Sequence, residues 1–248
     1  MILKRGRHRG LPFSFCFYSA HGRQDACPTF MPNTTEMLAR LKPLYAAVVA
    51  DVLDGLGYRN QCLPSQIRPL SPLARVQGVV YPVKAITVNE IPARPYELEI
   101  AAIEAVSRGD VLVVDAGDDR TSAFWGELLT TACSYKGVAG VVMTACTRDM
   151  WKIKELNFPV FGIGFHPADS KGRVDVVSIG EPVTIGGVQA RRGDLILGDE
   201  DGVVIIPQEV ADEALQLAHQ KLAGENVARA DLARGVPMGE VFKKYGIL

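Results

Sequence analysis

Histidine and paired cysteine are what this chain most conspicuously lacks: four histidines and five cysteines are spread over 248 residues, with no CxxC spacing among them. His8, His21, His166 and His219 make no constellation with one another or with Cys16, Cys27, Cys62, Cys133 and Cys146. A histidine-based zinc site, a serine triad and a disulfide scaffold therefore have little support. Unpatterned thiols fit a reduced, cytoplasmic protein better. Charge of one sign is also missing, since the formal net charge is -1. That leaves no electrostatic case for nucleic acid or membrane binding. No apolar run is long enough to span a bilayer. No glycine spacing of the phosphate-cradling or dinucleotide kind occurs, which counts against a phosphoryl- or methyl-transfer enzyme.

What the chain does have is apolar residues, 48% of the total, enough to bury a sizeable core as a single domain. Its most informative stretch runs from Trp125 to Asp149, WGELLTTACSYKGVAGVVMTACTRD. The spacing of Leu128, Leu129, Ala132 and Cys133 predicts one apolar helix face, and Gly137 is placed to end the helix in a left-handed cap. Val138 to Thr144 is apolar on both faces, as in a central parallel strand. A helix followed by a strand returning beside it brings the strand's carboxyl end back to the helix N-terminus. Arg148, Asp149, Glu127 and the first helical amides then share one small volume. Unpaired amides hold anions, arginine grips carboxylates in a bidentate manner, and aspartate is a hard oxygen ligand. The bland reading makes Asp149 the N-cap of a helix over Met150 to Leu156 and Arg148 a surface residue.

The run from Gly126 to Phe161 resembles the signature of the RraA-like family. The likeness extends from about Leu38 to about Gly239, through the segments Asp51 to Asp54, Arg108 to Asp115 and Gly198 to Pro207. That family contains metal-dependent 4-hydroxy-4-methyl-2-oxoglutarate aldolases, which also decarboxylate oxaloacetate, and non-catalytic regulators that bind ribonucleases or helicases. The resemblance implies an α/β fold of the β/β/α swivelling type, a sandwich forming a single domain and assembled as homotrimers or hexamers. It implies Mg2+ or Mn2+ ligated by Asp149, with Glu127 acting on the metal through water. Arg148 would bind the pyruvyl portion of the substrate. Gly126 and the amides of Leu128 and Leu129 would hold its carboxylate, and Glu225 from a neighbouring subunit would complete the site. One departure stands out: Lys152 occupies the position where aldolase members carry an acid. A cation there either repels the metal or replaces part of its charge.

The remaining chain yields further expectations. Residues 1–32, with five basic residues against one acid, read as a disordered tail or a start assigned too early, and the family-like domain spans 33–248. Thr35 to Leu56 reads as an amphipathic helix broken near Pro43 and stopped by Gly57, with Asp51 and Asp54 on a solvated face. Val76 to Val88 reads as one or two strands. Tyr96 to Ser107 reads as a helix with Leu98, Ala101, Ala102 and Ala105 inward. Ala116 to Phe124 reads as a loop whose acids Asp118 and Asp119 border the site. Arg108 to Asp115 and Arg192 to Asp199 echo each other as a turn feeding a buried strand. Phe158 to Gly164 is a further strand. Gly186-Gly187 and Asp201-Gly202 mark hairpins, so that Asp199, Glu200 and Asp201 belong to a turn. His166 reads as a structural or surface residue, and Gln208 to Leu232 as a helix broken near Gly224.

Overall fold

Period-two alternation in strands that are buried on both faces sets the architecture. A computed structural model describes residues 34–72 and 75–246; the expectation for residues 1–32 lies outside the described residues. Strand β2 (Val76–Thr87), β3 (Asp110–Trp125), β4 (Gly140–Thr147) and β5 (Val160–Gly162) lie side by side in parallel. Helices α3 (Glu97–Ala105), α4 (Glu127–Lys136) and α5 (Met150–Leu156) make the crossovers. Along β3, Leu112 and Val114 face these helices while Val111 and Val113 face the other way. Along β4, Met143 and Ala145 alternate likewise with Val142 and Cys146.

Two antiparallel strands extend the sheet on its other side, β10 (Leu195–Asp199) beside β2 and β11 (Gly202–Ile206) beside β10. Leu195, Leu197, Val204 and Ile206 pack against α1 (Thr34–Leu41), α2 (Ala46–Gly55) and α6 (Ala211–Ala233). Ile196, Val203 and Ile205 join the opposite core, which the separate hairpin of β8 (Val183–Ile185) and β9 (Val188–Ala190) fills with Val183, Ile185, Val188 and Ala190. The segment 61–70 spans the two sheet edges. Cys62 bridges Val204, the Leu63 amide donates to the Val203 carbonyl at 2.9 Å, and β1 (Arg68–Pro69) pairs with β5. The result is a mixed α/β domain whose sheet is nearly closed, like a barrel, with helices around it.

Two short strands complete the sheet, β6 (Gly164–Phe165) on β4 and β7 (Val174–Ile179) on β2. A final helix, α7 (Met238–Tyr245), was not anticipated from the sequence. The echo is a shared turn. The Ser107 amide donates to Asp110 Oδ2 at 2.9 Å and the Arg191 amide to Asp194 Oδ2 at 2.8 Å, ahead of β3 and β10. Both hairpins form as expected, and Asp199 serves its turn by accepting from the Asp201 amide while its other oxygen accepts from the Ala46 amide at the start of α2. Four expectations need correction. Residues 116–124 are strand, because β3 continues through register shifts against β4 to Trp125. Ala105 is exposed and Ile103 buried in α3. Gly224 does not break α6. Leu128 is 79% exposed, because α4 buries Thr130 and Cys133 instead.

Close packing of β2 against the turn before β3 leaves no room at Gly78, where a Cβ would meet the Gly109 carbonyl and stand 2.7 Å from Val111 Cγ2. Gly78→Ala is expected to cost about 1–3 kcal/mol through overpacking. Gly55→Ala, at the end of α2 where a Cβ would meet nothing within 4 Å, is expected to gain about 0.4–1 kcal/mol. Scanning calorimetry of the two variants checks both signs.

Candidate active site

Because β3 and β4 are adjacent and parallel, the helices that follow them start side by side. The ends are locked through one carbonyl: Trp125 O accepts from the Arg148 amide at 2.9 Å and from Thr147 Oγ1 at 3.1 Å. Trp125 itself is buried, stacked on Phe158 at 6.1 Å, with its indole N–H donating to Thr130 Oγ1 at 2.8 Å. That hydroxyl in turn donates to the Gly126 carbonyl, fixing the first turn of α4. Gly137 ends α4 in the left-handed region at φ 74°, as its position predicted.

Asp149 does precede α5, but its side chain does not cap that helix. Its backbone is left-handed, with φ 60° and no side-chain cap bond. The carboxylate turns instead to α4, where Oδ2 accepts from the Glu127 amide at 3.2 Å and lies 3.7 Å from Arg148 Nε. Gly126 is what permits this approach, since a Cβ there would sit 2.8 Å from Asp149 Oδ2. Arg148 is held on its other side by Asp169, with Nη2 and Oδ1 3.2 Å apart. A cavity of about 380 Å³ opens onto Gly126, Glu127, Leu128, Leu129, Arg148 and Asp149. Six of the seven residues the sequence nominated therefore meet in one place.

Glu225 is the seventh and lies elsewhere in this chain. On α6 its carboxylate accepts from the Tyr45 hydroxyl and sits 3.7 Å from Lys221 and 3.8 Å from Arg229. Lys152 points its charge along α5 to Glu155, at 2.8 Å. Its pKa is raised by that hydrogen bond and charge, with Glu127 adding to the field. Neither Asp118 nor Asp119 lines the cavity; Asp119 spends both oxygens on Thr121 and Ser122. His166 lies outside the cavity lining, its Nδ1 accepting from the Ala168 amide at 3.1 Å.

Sequence reasoning missed Tyr96, Glu99 and Asp169, which also line the cavity. Tyr96 and Glu99 come from the start of α3 and Asp169 from the segment after β6, and the one available signal was an acid, Glu99, on a helix otherwise apolar on that side. Burial pushes the Glu99 carboxyl up to about 7, with the nearby charges of Asp169 and Asp175 adding and Arg148 opposing.

An α/β domain with its cavity at the carboxyl ends of adjacent parallel strands has ligand-binding geometry typical of open α/β sheets. The chain belongs to the RraA-like family, whose Aldolase/RraA pattern matches residues 46–205. It is 32% identical, over 81% of its own length and 90% of the relative's, to a protein of Halalkalibacterium halodurans provisionally named 4-hydroxy-4-methyl-2-oxoglutarate aldolase. Among solved structures, it resembles RraAS2 of Streptomyces coelicolor, described as an unusual member of the RNase ES inhibitor RraA family. The TM-score is 0.73 at 28% identity, covering 79% of this chain and 97% of that one. It also resembles the RNA-processing inhibitor RraA of Thermus thermophilis, with a TM-score of 0.53 at 26% identity over 64% of this chain and 92% of that one.

The raised carboxyl has a definite consequence for stability. A folded pKa near 7 against an ordinary 4.5 means that the folded chain binds the Glu99 proton more tightly. This destabilises the fold as pH rises from about 4.5 through 7, and the penalty is complete above that range. Thermal melts between pH 5 and pH 8 are expected to show a falling Tm in the wild type and a flatter profile in Glu99→Gln.

Proposed function

We propose that this chain is a divalent-metal-dependent lyase that breaks a carbon-carbon bond of a 2-oxo-dicarboxylic acid and releases pyruvate, as a 4-hydroxy-4-methyl-2-oxoglutarate aldolase, an oxaloacetate decarboxylase or both. The observation that carries this reading is the convergence of Arg148, Asp149 and the α4 N-terminus on one cavity. Among the described residues no group of three or more histidine, cysteine or acidic side chains forms a closed cage. The oxygen donors at the cavity, Asp149 and Glu127, are of the hard kind that magnesium or manganese takes, and these ions keep waters and share few carboxylates with the protein. Asp149 would hold the ion directly and Glu127 through water. When bound, the ion supplies Lewis-acid polarisation of the 2-oxo group.

The chain's own residues do the rest. The amides of Leu128 and Leu129, at the positive end of α4, bind the substrate carboxylate. Arg148 orients the pyruvyl oxygens and offsets the negative charge that grows on them as the bond to the departing carbon breaks. Glu225 of a neighbouring copy would complete the site in a homotrimer or hexamer, which requires it to leave Tyr45, Lys221 and Arg229. The exposed Leu128, Tyr135 and Trp151 on α4 and α5 supply apolar surface for such an assembly. In the lyase, Lys152 is paired with Glu155 at 2.8 Å along α5. The three free cysteines among the described residues fit a cytoplasmic setting.

A second reading keeps Lys152 as its favouring observation: a non-catalytic regulator binding a ribonuclease or helicase, in a family whose solved members include one described within the RNase ES inhibitor family and one described as an RNA-processing inhibitor. Pyruvate release from oxaloacetate and from 4-hydroxy-4-methyl-2-oxoglutarate, with magnesium or manganese and again with excess chelator, separates the two. The lyase releases pyruvate and stops with chelator, whereas the regulator gives only the metal background. In the lyase, Arg148→Ala and Asp149→Ala are each expected to lower turnover by about 10²–10³-fold. Turnover near wild type in either variant would remove the mechanism. Gly126→Ala is expected to lower kcat/KM by displacing the Asp149 carboxylate, while Tm shifts by no more than a few degrees.

A further inference from the structure

Arg148 is useful to an oxo acid only if its guanidinium is already in place, and a four-bond side chain on a strand end has ample freedom to be elsewhere. The structure shows how that freedom is removed. One face of the guanidinium is set by Asp149, whose Oδ2 lies 3.7 Å from Nε, and the other by Asp169 at 3.2 Å from Nη2. Asp169 is itself immobilised. Its Oδ1 accepts from the Ser170 amide at 3.0 Å, its Oδ2 accepts from the Tyr96 hydroxyl, and its backbone is bridged to Ala123 of β3. The neighbouring Ala168 carbonyl accepts from the Ala123 amide at 2.8 Å, and the Asp169 carbonyl accepts from Arg173 at 2.9 Å.

Backbone strain marks the same residues. Four non-glycine residues among those described have positive φ, and two of them, Tyr96 at 65° and Asp149 at 60°, line this cavity on either side of Arg148. Left-handed backbone costs about 1–3 kcal/mol at such residues and persists where surrounding structure enforces it, typically at ligand sites. Tyr96 spends it at the start of α3, where its side chain makes no cap and its hydroxyl goes to Asp169. Burial and the Asp169 hydrogen bond push the Tyr96 phenol up to about 12, so it remains a donor across physiological pH.

We propose that Tyr96 and Asp169 are positioning residues that clamp Arg148 in its substrate-binding orientation, leaving Nη1 for the incoming acid. The relay runs from the Tyr96 hydroxyl to the Asp169 carboxylate to Arg148 Nη2, and neither Tyr96 nor Asp169 touches the reacting atoms. The role in catalysis rests on Arg148 anchoring an oxo acid; the clamp itself does not.

The experiment therefore has two arms. In the first, full-length protein carrying 15N-arginine is compared by NMR with Tyr96→Phe and Asp169→Asn, Arg148→Lys being used to assign the Arg148 signals. The clamp predicts separate, slowly exchanging Nη signals for Arg148 in the wild type that collapse to an averaged signal in Asp169→Asn and broaden in Tyr96→Phe. Unchanged signals in both variants overturn it. In the second arm, calorimetric titration uses oxalate, a planar mimic of the pyruvate enolate, with magnesium present. Asp169→Asn is expected to weaken oxalate by about tenfold, the scale of one hydrogen bond to a charged group. The same substitution should add nothing in an Arg148→Ala background, and an equal loss there overturns the relay. Collapsed Nη signals in variants of a protein that neither binds oxalate nor releases pyruvate would uphold the clamp and sink the lyase.

Discussion

One carbonyl oxygen, that of Trp125, holds the carboxyl ends of two neighbouring strands together, and the geometry of the candidate site depends on that lock. Because it accepts from both the Arg148 amide and the Thr147 hydroxyl, β3 and β4 end at the same height. Each strand hands over to a helix, so two helix starts lie against each other. Asp149, nominally belonging to α5, is then close enough to serve α4. A displacement of β4 by one residue would turn Arg148 to the opposite face, and a displacement of either strand would separate the Asp149 carboxylate from the Glu127 amide. The indole of Trp125, buried between Phe158 and the Thr130 hydroxyl, makes such a displacement costly, since it would expose a large ring and leave its N–H without a partner.

Much of this was legible in the sequence where two signals coincided. The helix ending at Gly137 and the doubly apolar strand after it gave both a period and a terminator, and their antiparallel return predicted that Glu127, Arg148 and Asp149 would meet. Leu128 shows where the pattern misleads. Its spacing matches Leu129 and Cys133, but the inward position goes to Thr130, a polar residue buried because its hydroxyl bridges Trp125 and Gly126. Hydrophobic periodicity cannot register a hydroxyl placed for a specific partner. Residues 116–124 misled for the opposite reason. Gly117 and the acids read as loop, whereas the strand continues irregularly through left-handed residues at Gly117 and Asp118.

Tyr96, Glu99 and Asp169 escaped for a third reason. They reach the cavity only because α3 crosses between β2 and β3 and because residues 168 and 169 bridge back to β3. Local pattern carries no information about such a meeting. Glu225 is the converse: the resemblance placed it at the site, but within one chain its partners are Tyr45, Lys221 and Arg229, all at the α2 and α6 side of the molecule.

The strap of residues 61–70 has a consequence for how the chain reaches this state. It joins β11, near the end of the sequence, to β5 through Cys62 and Arg68, which come from before β2. The three parallel crossovers can form from neighbouring segments, but this closure must wait for early and late parts of the chain to find each other, at the largest loop entropy in the sheet. Until it does, β11 and β5 present unpaired edges, the form most prone to pair with another molecule. Sealing the sheet is thus both a slow event of folding and the one that removes its aggregation hazard.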